Sequence, residues 1–463
     1  MLAEIKGLNE ECGVFGVWNH PNAAQITYYA LHSLQHRGQE GAGIVVTDGE
    51  RLKLRKDNGL VTEVFTANCM EKLEGTGGIG HVRYSIGGVN GYENVQPLLF
   101  RSLKDGLAIA HNGNLTNANE LRANLEEKGS IFQTESDAEI LAHLIKRGNA
   151  NLLRDRIMSA LTSLKGAYAF VVLTETALYV ALDPYGLRPL SLGKLGDSYV
   201  VSSETCAFDL IGAEFVREVN PGEFLMIDDN GLRSMRFAIE TNRALCAMEY
   251  VYFCRPDSNL WGKNVHTARK KTGKALAKEY KIEADVVTGV PDSSLSAAIG
   301  YAEGAGLPYE LGLIKSRYVG RTFIEPSQSL REQGVKLKLS AVRGVVEGKR
   351  VVMIDDSFVR GTTSRRITTL LRDAGATEVH VLISSPPIKY PCLYGMDTLS
   401  TEDLVAANLE VEEMRKMIEA DSLGFLSVEG LQEVLGTSGP ECKSGLCLAC
   451  FTGNYPAEEE NFV

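Results

Sequence analysis

Short apolar runs broken by glycine and asparagine fill roughly the first half of the chain, and further on they give way to apolar runs that alternate with helical spacing. AGIVVT at 42–47, AYAFVVL at 167–173 and YVVSS at 199–203 are short, rich in β-branched residues and bounded by turn residues, which predicts strands. Helical spacing interrupts them over 22–35 and 136–147, and the second stretch opens on Ser136-Asp137, an N-cap signal ahead of ILAHLI. That mixture predicts a sheet-rich α+β domain. From about residue 265 the order becomes helix 265–281, strand ADVVTGV, helix 293–305, a short strand, VVMIDD at 351–356, a helix near 364–374 and strand VHVLISS. Such alternation predicts a parallel sheet wrapped by helices, with the domain boundary between 231 and 263 and no internal repeat.

Composition narrows the class. A chain of 463 residues has room for two or three full cores, and 44% hydrophobic with 23% charged residues is the balance of a soluble globular protein. The leader MLAEIKGLNEE carries three glutamates and lacks an apolar h-region, so it reads as neither a secretory signal nor a transit peptide, and a cytoplasmic location is expected. A net charge of -11 speaks against general nucleic-acid affinity while leaving room for a local basic site on a small anion. Nine cysteines in a reducing compartment point to chemistry or metal rather than disulfides.

The strongest chemical signal of the second half is RVVMIDDSFVRGTTSRR, where a buried strand ends in Asp355-Asp356 and Gly361-Thr362-Thr363-Ser364 opens a helix. A helix start offers unpaired N–H groups to an anion, and Gly361 lets the backbone approach closely. Two carboxylates repel a bare phosphate but suit ribose hydroxyls or Mg2+, so a phosphorylated sugar fits both halves. The run resembles the 5-phosphoribosyl 1-diphosphate (PRPP) loop of type I phosphoribosyltransferases, which implies a doubly wound sheet with ligand at its carboxyl edge. By that resemblance Asp355 and Asp356 address the ribose and the metal, and Gly361, Thr362 and Thr363 hold the 5-phosphate. Pro291, Asp292, Ser293 and Ser294 of ADVVTGVPDSS form the pyrophosphate-side loop, Ser293 joining the two aspartates at Mg2+. Between these motifs lies KSRYVGRTFIEPSQSLREQGVKLKLSAVR, 315–343, with seven Lys or Arg against two Glu and no clear period. It reads as a long loop closing over pyrophosphate, with Arg317, Arg321 and Lys338 as its cations.

In the first half, CGVFG at Cys12 is followed by LQHRGQEGAG at 34–43, GHVRYS at 80–85, AHNGNLTN at 110–117 and TESDAE at 134–139. Together and in this order they resemble the glutaminase domain of the N-terminal nucleophile (Ntn) amidotransferases, whose fold is an αββα sandwich. Releasing ammonia from glutamine needs a nucleophile, a base, an oxyanion hole and groups for the amino acid's two charges. A chain-terminal cysteine supplies the first two, because an α-amine titrates near neutrality. This implies cleavage between Glu11 and Cys12, making residues 1–11 a propeptide. Arg83 then binds the glutamine carboxylate, Asp137 its ammonium, and the Asn112 side chain with the Gly113 N–H forms the oxyanion hole.

Joined, a glutaminase domain over 12–231 and a phosphoribosyltransferase domain over 232–463 resemble the amidophosphoribosyltransferases. The resemblance implies PRPP and glutamine as substrates, transfer of ammonia inside the protein, Mg2+, feedback inhibition by purine nucleotides, and a homotetramer. A glucosamine 6-phosphate synthase would share residues 12–140 but not the Asp355-Asp356 motif, and a PRPP-sensing regulator has no need of Cys12 with Arg83, Asn112 and Asp137. Similarity to the cluster-containing branch of the family assigns a [4Fe–4S] cluster to Cys246 of CAMEY, Cys392 of PPIKYPCLYG, and Cys447 and Cys450 of CLAC, leaving Cys254 and Cys442 as spares. The cysteines by themselves also suit a zinc site with four sulfur ligands.

Overall fold

The computed structural model describes residues 12–84, 91–101, 106–315, 339–396, 400–436 and 445–457. Its N-terminal domain sets a pair of antiparallel sheets face to face. One has seven strands in the order Glu214–Glu218, Ser191–Leu195, Ser198–Ser202, Gly13–Trp18, Gly77–Arg83, Gly41–Thr47 and Leu52–Asn58. The other has six, in the order Gly231–Arg236, Glu223–Asp228, Leu178–Leu182, Gly166–Leu173, Gly106–Leu115 and Leu98–Arg101. Alternation decides which residues meet: Val14, Val45, Ile79 and Val201 of the first sheet pack on Ala108, Val171, Leu178 and Leu225 of the second. The outward-facing set Phe15, Val17 and Ile44 packs instead under helices Ala23–Ser33 and Cys206–Ile211. Helices Asp137–Arg147 and Leu153–Leu161 cover Ile109, Phe170 and Tyr179 on the far side, completing four αββα layers. Because Gly231–Arg236 pairs with Glu223–Asp228, the sandwich continues past residue 231 to the end of that strand.

The expected strands and both expected helices form, and Ser136 caps the second by accepting from the Ala138 N–H. Helices Ala118–Glu127, Leu153–Leu161 and Cys206–Ile211 come in addition to the two that periodicity predicts. Ala118–Glu127 fully buries only Leu125, and its apolar stripe is short, Ala118 and Leu121 packing partly against the same core.

The C-terminal domain is built on four parallel strands in the order Val286–Gly289, Arg350–Asp355, Glu378–Ile383 and Ser422–Phe425. Val287, Val352, Ile354 and Leu382 pack toward helices Val265–Glu279 and Leu295–Ala305, while Val351, Met353 and Val381 pack toward helix Thr362–Asp373. The sheet is thus covered on both faces, as parallel strands require. Leu313–Lys315 and Leu339–Ala341 pair antiparallel, so the basic 315–343 segment leaves and returns through one short ribbon. Among the described residues no helix is long and apolar enough to cross a membrane.

Candidate functional site

Two sites are built from these elements. In the first, strand Gly13–Trp18 lies inside its sheet and pairs antiparallel with Gly77–Arg83, Gly13 opposite Val82. That register sets Cys12 beside Arg83, and the Cys12 Sγ donates to the Tyr84 carbonyl oxygen at 3.4 Å. Asn112 comes from the facing sheet, is wholly buried, and has no hydrogen-bond partner for Nδ2 or Oδ1 among the described residues. A buried amide with both ends unengaged is costly unless a ligand meets it, so it suits a developing oxyanion. Gly113 has φ +134, and a Cβ there would stand 2.1 Å from the Ala167 carbonyl oxygen, which excludes any side chain. Two residues on, the Leu115 N–H donates to Asp137 Oδ2 at 2.8 Å. Burial pushes the Asp137 carboxyl up to about 6.

The two halves of this site meet through His81, whose Nε2 donates to the His111 carbonyl oxygen at 3.0 Å across the sheets. Burial pushes both imidazoles down to about 3, so they stay neutral near pH 7 and are poor proton acceptors. Lys56, whose ammonium feels the charge of Arg83, donates to the Glu93 and Val95 carbonyls, and burial above all lowers it to about 8.

The second site is a cavity of about 370 Å3 at the carboxyl ends of the parallel strands. Asp355 and Asp356 form its floor, and Ser293, Thr362 and Thr363 its rim. Ser294 Oγ donates to Asp355 Oδ1 at 3.1 Å, and Ser293 Oγ donates to Asp356. Burial, and then the charge of Asp356, pushes Asp355 up to about 8, and burial raises Asp356 as well. Two desolvated acids side by side are the donor set a divalent cation relieves. Gly361 sits at φ +70 before helix Thr362–Asp373, and a Cβ there would lie 2.3 Å from Met417 Cε and 2.8 Å from Phe358 Cζ. Asp292 Oδ2 accepts from Lys315 Nζ at 2.8 Å at the exposed edge. Arg317, Arg321 and Lys338 lie outside the described residues, as do residues 1–11 and Cys442.

His36 and Gln39, from the LQHRGQEGAG stretch of the first domain, also line this cavity. In the sequence that stretch reads only as part of the glutaminase pattern, with no role for either residue, and no motif points to Arg269. Arg269 fans over three carbonyl oxygens, donating to Tyr250 at 2.7 Å, Tyr252 at 2.9 Å and Cys254 at 2.8 Å. It thereby shapes the wall formed by 252–256.

The cysteines fall into separate places. Cys246 stands opposite Cys447 where Leu245–Cys246 and Leu446–Cys447 pair in parallel. Burial raises the Cys447 thiol to about 12, and the Cys450 thiol is raised by burial and by the neighbouring Cys392 and Cys447. These sulfurs are free of disulfides, a donor chemistry suited to a thiophilic metal or cluster. No group of three or more His, Cys, Asp or Glu is arranged to hold a metal ion among the described residues. Cys254 is elsewhere, its Sγ donating to Glu249 Oε2 at 3.0 Å.

Known proteins resemble this chain along almost its whole length. A glutamine amidotransferase domain family matches residues 81–209. The chain is 67% identical to an amidophosphoribosyltransferase of Bacillus subtilis (strain 168) over 459 residues, 99% of this chain and 96% of that protein. It is 53% identical to the amidophosphoribosyltransferase of Staphylococcus aureus (strain MRSA252), over 98% of this chain and 93% of that one. Among solved structures, glutamine PRPP amidotransferase from B. subtilis complexed with ADP and GMP superposes with a TM-score of 0.93 at 65% identity, covering 98% of this chain and 99% of that one. A structure described as the allosteric regulatory enzyme of purine biosynthesis superposes with a TM-score of 0.94 at 65% identity, covering 98% of each chain.

Proposed function

The chain belongs to the amidophosphoribosyltransferases, and from that premise we propose which of its residues carry the reaction. The enzyme converts PRPP, glutamine and water to 5-phosphoribosylamine, glutamate and pyrophosphate, the committed step of purine synthesis. Cys12, freed of residues 1–11, attacks the glutamine amide carbon through its thiolate while its own α-amine takes and returns the proton. The neutral, buried His81 and His111 leave the α-amine as the group suited to that task. Asn112 Nδ2 and the Gly113 N–H stabilise the oxyanion, Arg83 binds the α-carboxylate, and Asp137 binds the α-ammonium.

In the cavity Asp355 and Asp356 bind the ribose hydroxyls, Gly361, Thr362 and Thr363 the 5-phosphate, and Asp292 and Ser294 the pyrophosphate side. Ser293 and the two aspartates fit Mg2+, which when bound offsets the charge of the departing pyrophosphate. Ammonia displaces that pyrophosphate at ribose C1. By the family resemblance Cys246, Cys392, Cys447 and Cys450 would hold a [4Fe–4S] cluster of structural purpose, and iron and sulfide analysis separates it from zinc. Purine nucleotides of the ADP and GMP kind act as feedback inhibitors, the natural site of competition being the phosphoribosyl cavity. A cytoplasmic homotetramer completes the proposal, its subunit count readable by light scattering.

The observation that best supports two coupled sites is the shared cavity wall, with His36 and Gln39 on one side and the Asp355-Asp356 motif on the other. Cys12→Ala tests it: glutamine-dependent synthesis should vanish while ammonia-dependent synthesis persists. Loss of both activities would overturn the two-site assignment.

A further inference from the structure

A buried chain of charges runs from the Cys12 backbone into the second domain. Arg37 is fully buried, and its Nε donates to the Cys12 carbonyl oxygen at 3.2 Å. Its stem passes over Gly13, where a Cβ would lie 3.4 Å from Arg37 Cδ. The guanidinium grips Glu249 with Nη1 at 3.0 Å and Nη2 at 2.9 Å, and Nη1 also donates to Glu204 Oε1 at 2.7 Å. Arg188 Nη1 stands 3.6 Å from Glu249 Oε1, so two buried cations balance two buried carboxylates. Both acids are tied to the wall of the phosphoribosyl cavity. Glu249 opens the helical turn Glu249–Phe253 that leads into it, and Glu204 Oε2 accepts from the Arg255 N–H at 2.9 Å and from Ser258 Oγ at 2.6 Å.

We propose that Arg37 and Glu249 are positioning residues for the glutaminase reaction: the second domain, through Glu249, fixes the arginine that fixes the Cys12 backbone. The physical reason lies in how the nucleophile hangs. Both the thiol and the amine of a chain-terminal cysteine depend from one α-carbon, and with no residue before it the backbone continues from that carbon through its own carbonyl alone, the group that Arg37 holds. A bidentate carboxylate holds the guanidinium plane, and hence the direction of Nε, far more tightly than solvent does. A pure packing role would ask only for charge balance, whereas this geometry aims one donor at one carbonyl.

The inference rests on Cys12 as the glutamine nucleophile, and a Cys12→Ala control tests that premise separately. Glu249→Gln keeps shape but weakens the clamp, and Arg37→Lys keeps charge but cannot serve carbonyl and carboxylate together. Intact mass should first show each chain beginning at Cys12, with activity taken per mole of that species. The expected result is a fall of at least about tenfold in glutamine-dependent kcat and in the rate of Cys12 alkylation by iodoacetamide, with the glutamine KM and ammonia-dependent synthesis within about twofold. Ammonia-dependent synthesis reports folding in the same sample, and if Glu249→Gln does not fold, Arg37→Lys decides. Unchanged kcat and alkylation, or an equal fall of both syntheses, would overturn the proposal. If Cys12→Ala kept glutamine-dependent activity, the underlying assignment would fail instead.

Discussion

Asp137→Asn should make the enzyme worse and the ligand-free protein more stable, and the size of both effects follows from the site. The Asp137 carboxyl is displaced from an ordinary 3.8 to about 6, chiefly by burial and against the Leu115 N–H that favours its charge. That displacement corresponds to about 3 kcal/mol, the cost of holding a carboxylate at the site proposed for glutamine's ammonium. The side chain keeps some contact with solvent, which screens part of the cost and leaves about 1–3 kcal/mol. For a raised carboxyl the penalty is absent below the unfolded value, grows between 3.8 and about 6, and is fully present above about 6. Asparagine still accepts from Leu115 but carries no such penalty, so denaturant unfolding without glutamine should show the variant more stable at pH 8, with about half that gain at pH 5. Loss of the buried charge pair with the substrate should lower kcat/KM for glutamine about a hundredfold and leave ammonia-dependent synthesis intact. A variant no more stable than wild type at pH 8, or a gain equal at both pH values, would refute the reasoning. A glutamine kcat/KM within about threefold of wild type would remove Asp137 from the ammonium site.

Asn112→Ala removes a donor with no other engagement among the described residues and should cost about 10²–10³ in glutaminase kcat at nearly constant glutamine KM; steady-state kinetics showing mainly a KM effect would count against the oxyanion role. Gly361→Ala puts a Cβ at φ +70 against Phe358 and Met417, so the PRPP KM should rise about tenfold while the glutamine KM holds, and an unaltered PRPP KM would sink the phosphate assignment. Asp355→Asn should reduce glutamine- and ammonia-dependent synthesis together, by about a hundredfold or more, and weaken Mg2+ dependence; separation of the two activities would contradict its place at the shared PRPP site.

Sequence carried the local rules of this protein well. AGIVVT, AYAFVVL and YVVSS are strands because their β-branched residues face a core on each side of one of the two sheets, and Ser136 announces its helix because the capping geometry is local. Gly113 and Gly361 stand in motifs whose backbone has no room for a Cβ, so the sequence retains their signature. Arg37 lies inside LQHRGQEGAG and Glu249 inside CAMEY, yet nothing adjacent reveals their purpose. Their partners are 167 and 212 positions away, and a buried charge is indistinguishable from a solvated one until the fold closes around it. The same holds for Arg269, whose acceptors are backbone carbonyls and leave no trace in composition. Ala118–Glu127 is hard to read for another reason: its core-facing stripe of Ala118, Leu121 and Leu125 is short and set among charged and polar residues.

Two chemistries are proposed to cooperate, ammonia released at Cys12 being consumed in the cavity that His36, Gln39, Asp355 and Asp356 line. Glutamine labelled with 15N at the amide, supplied with PRPP and Mg2+ in a large excess of unlabelled ammonium at a pH where free ammonia is scarce, measures it directly. The account predicts 5-phosphoribosylamine that retains the 15N of glutamine. Product carrying the isotope ratio of the surrounding ammonium would contradict it.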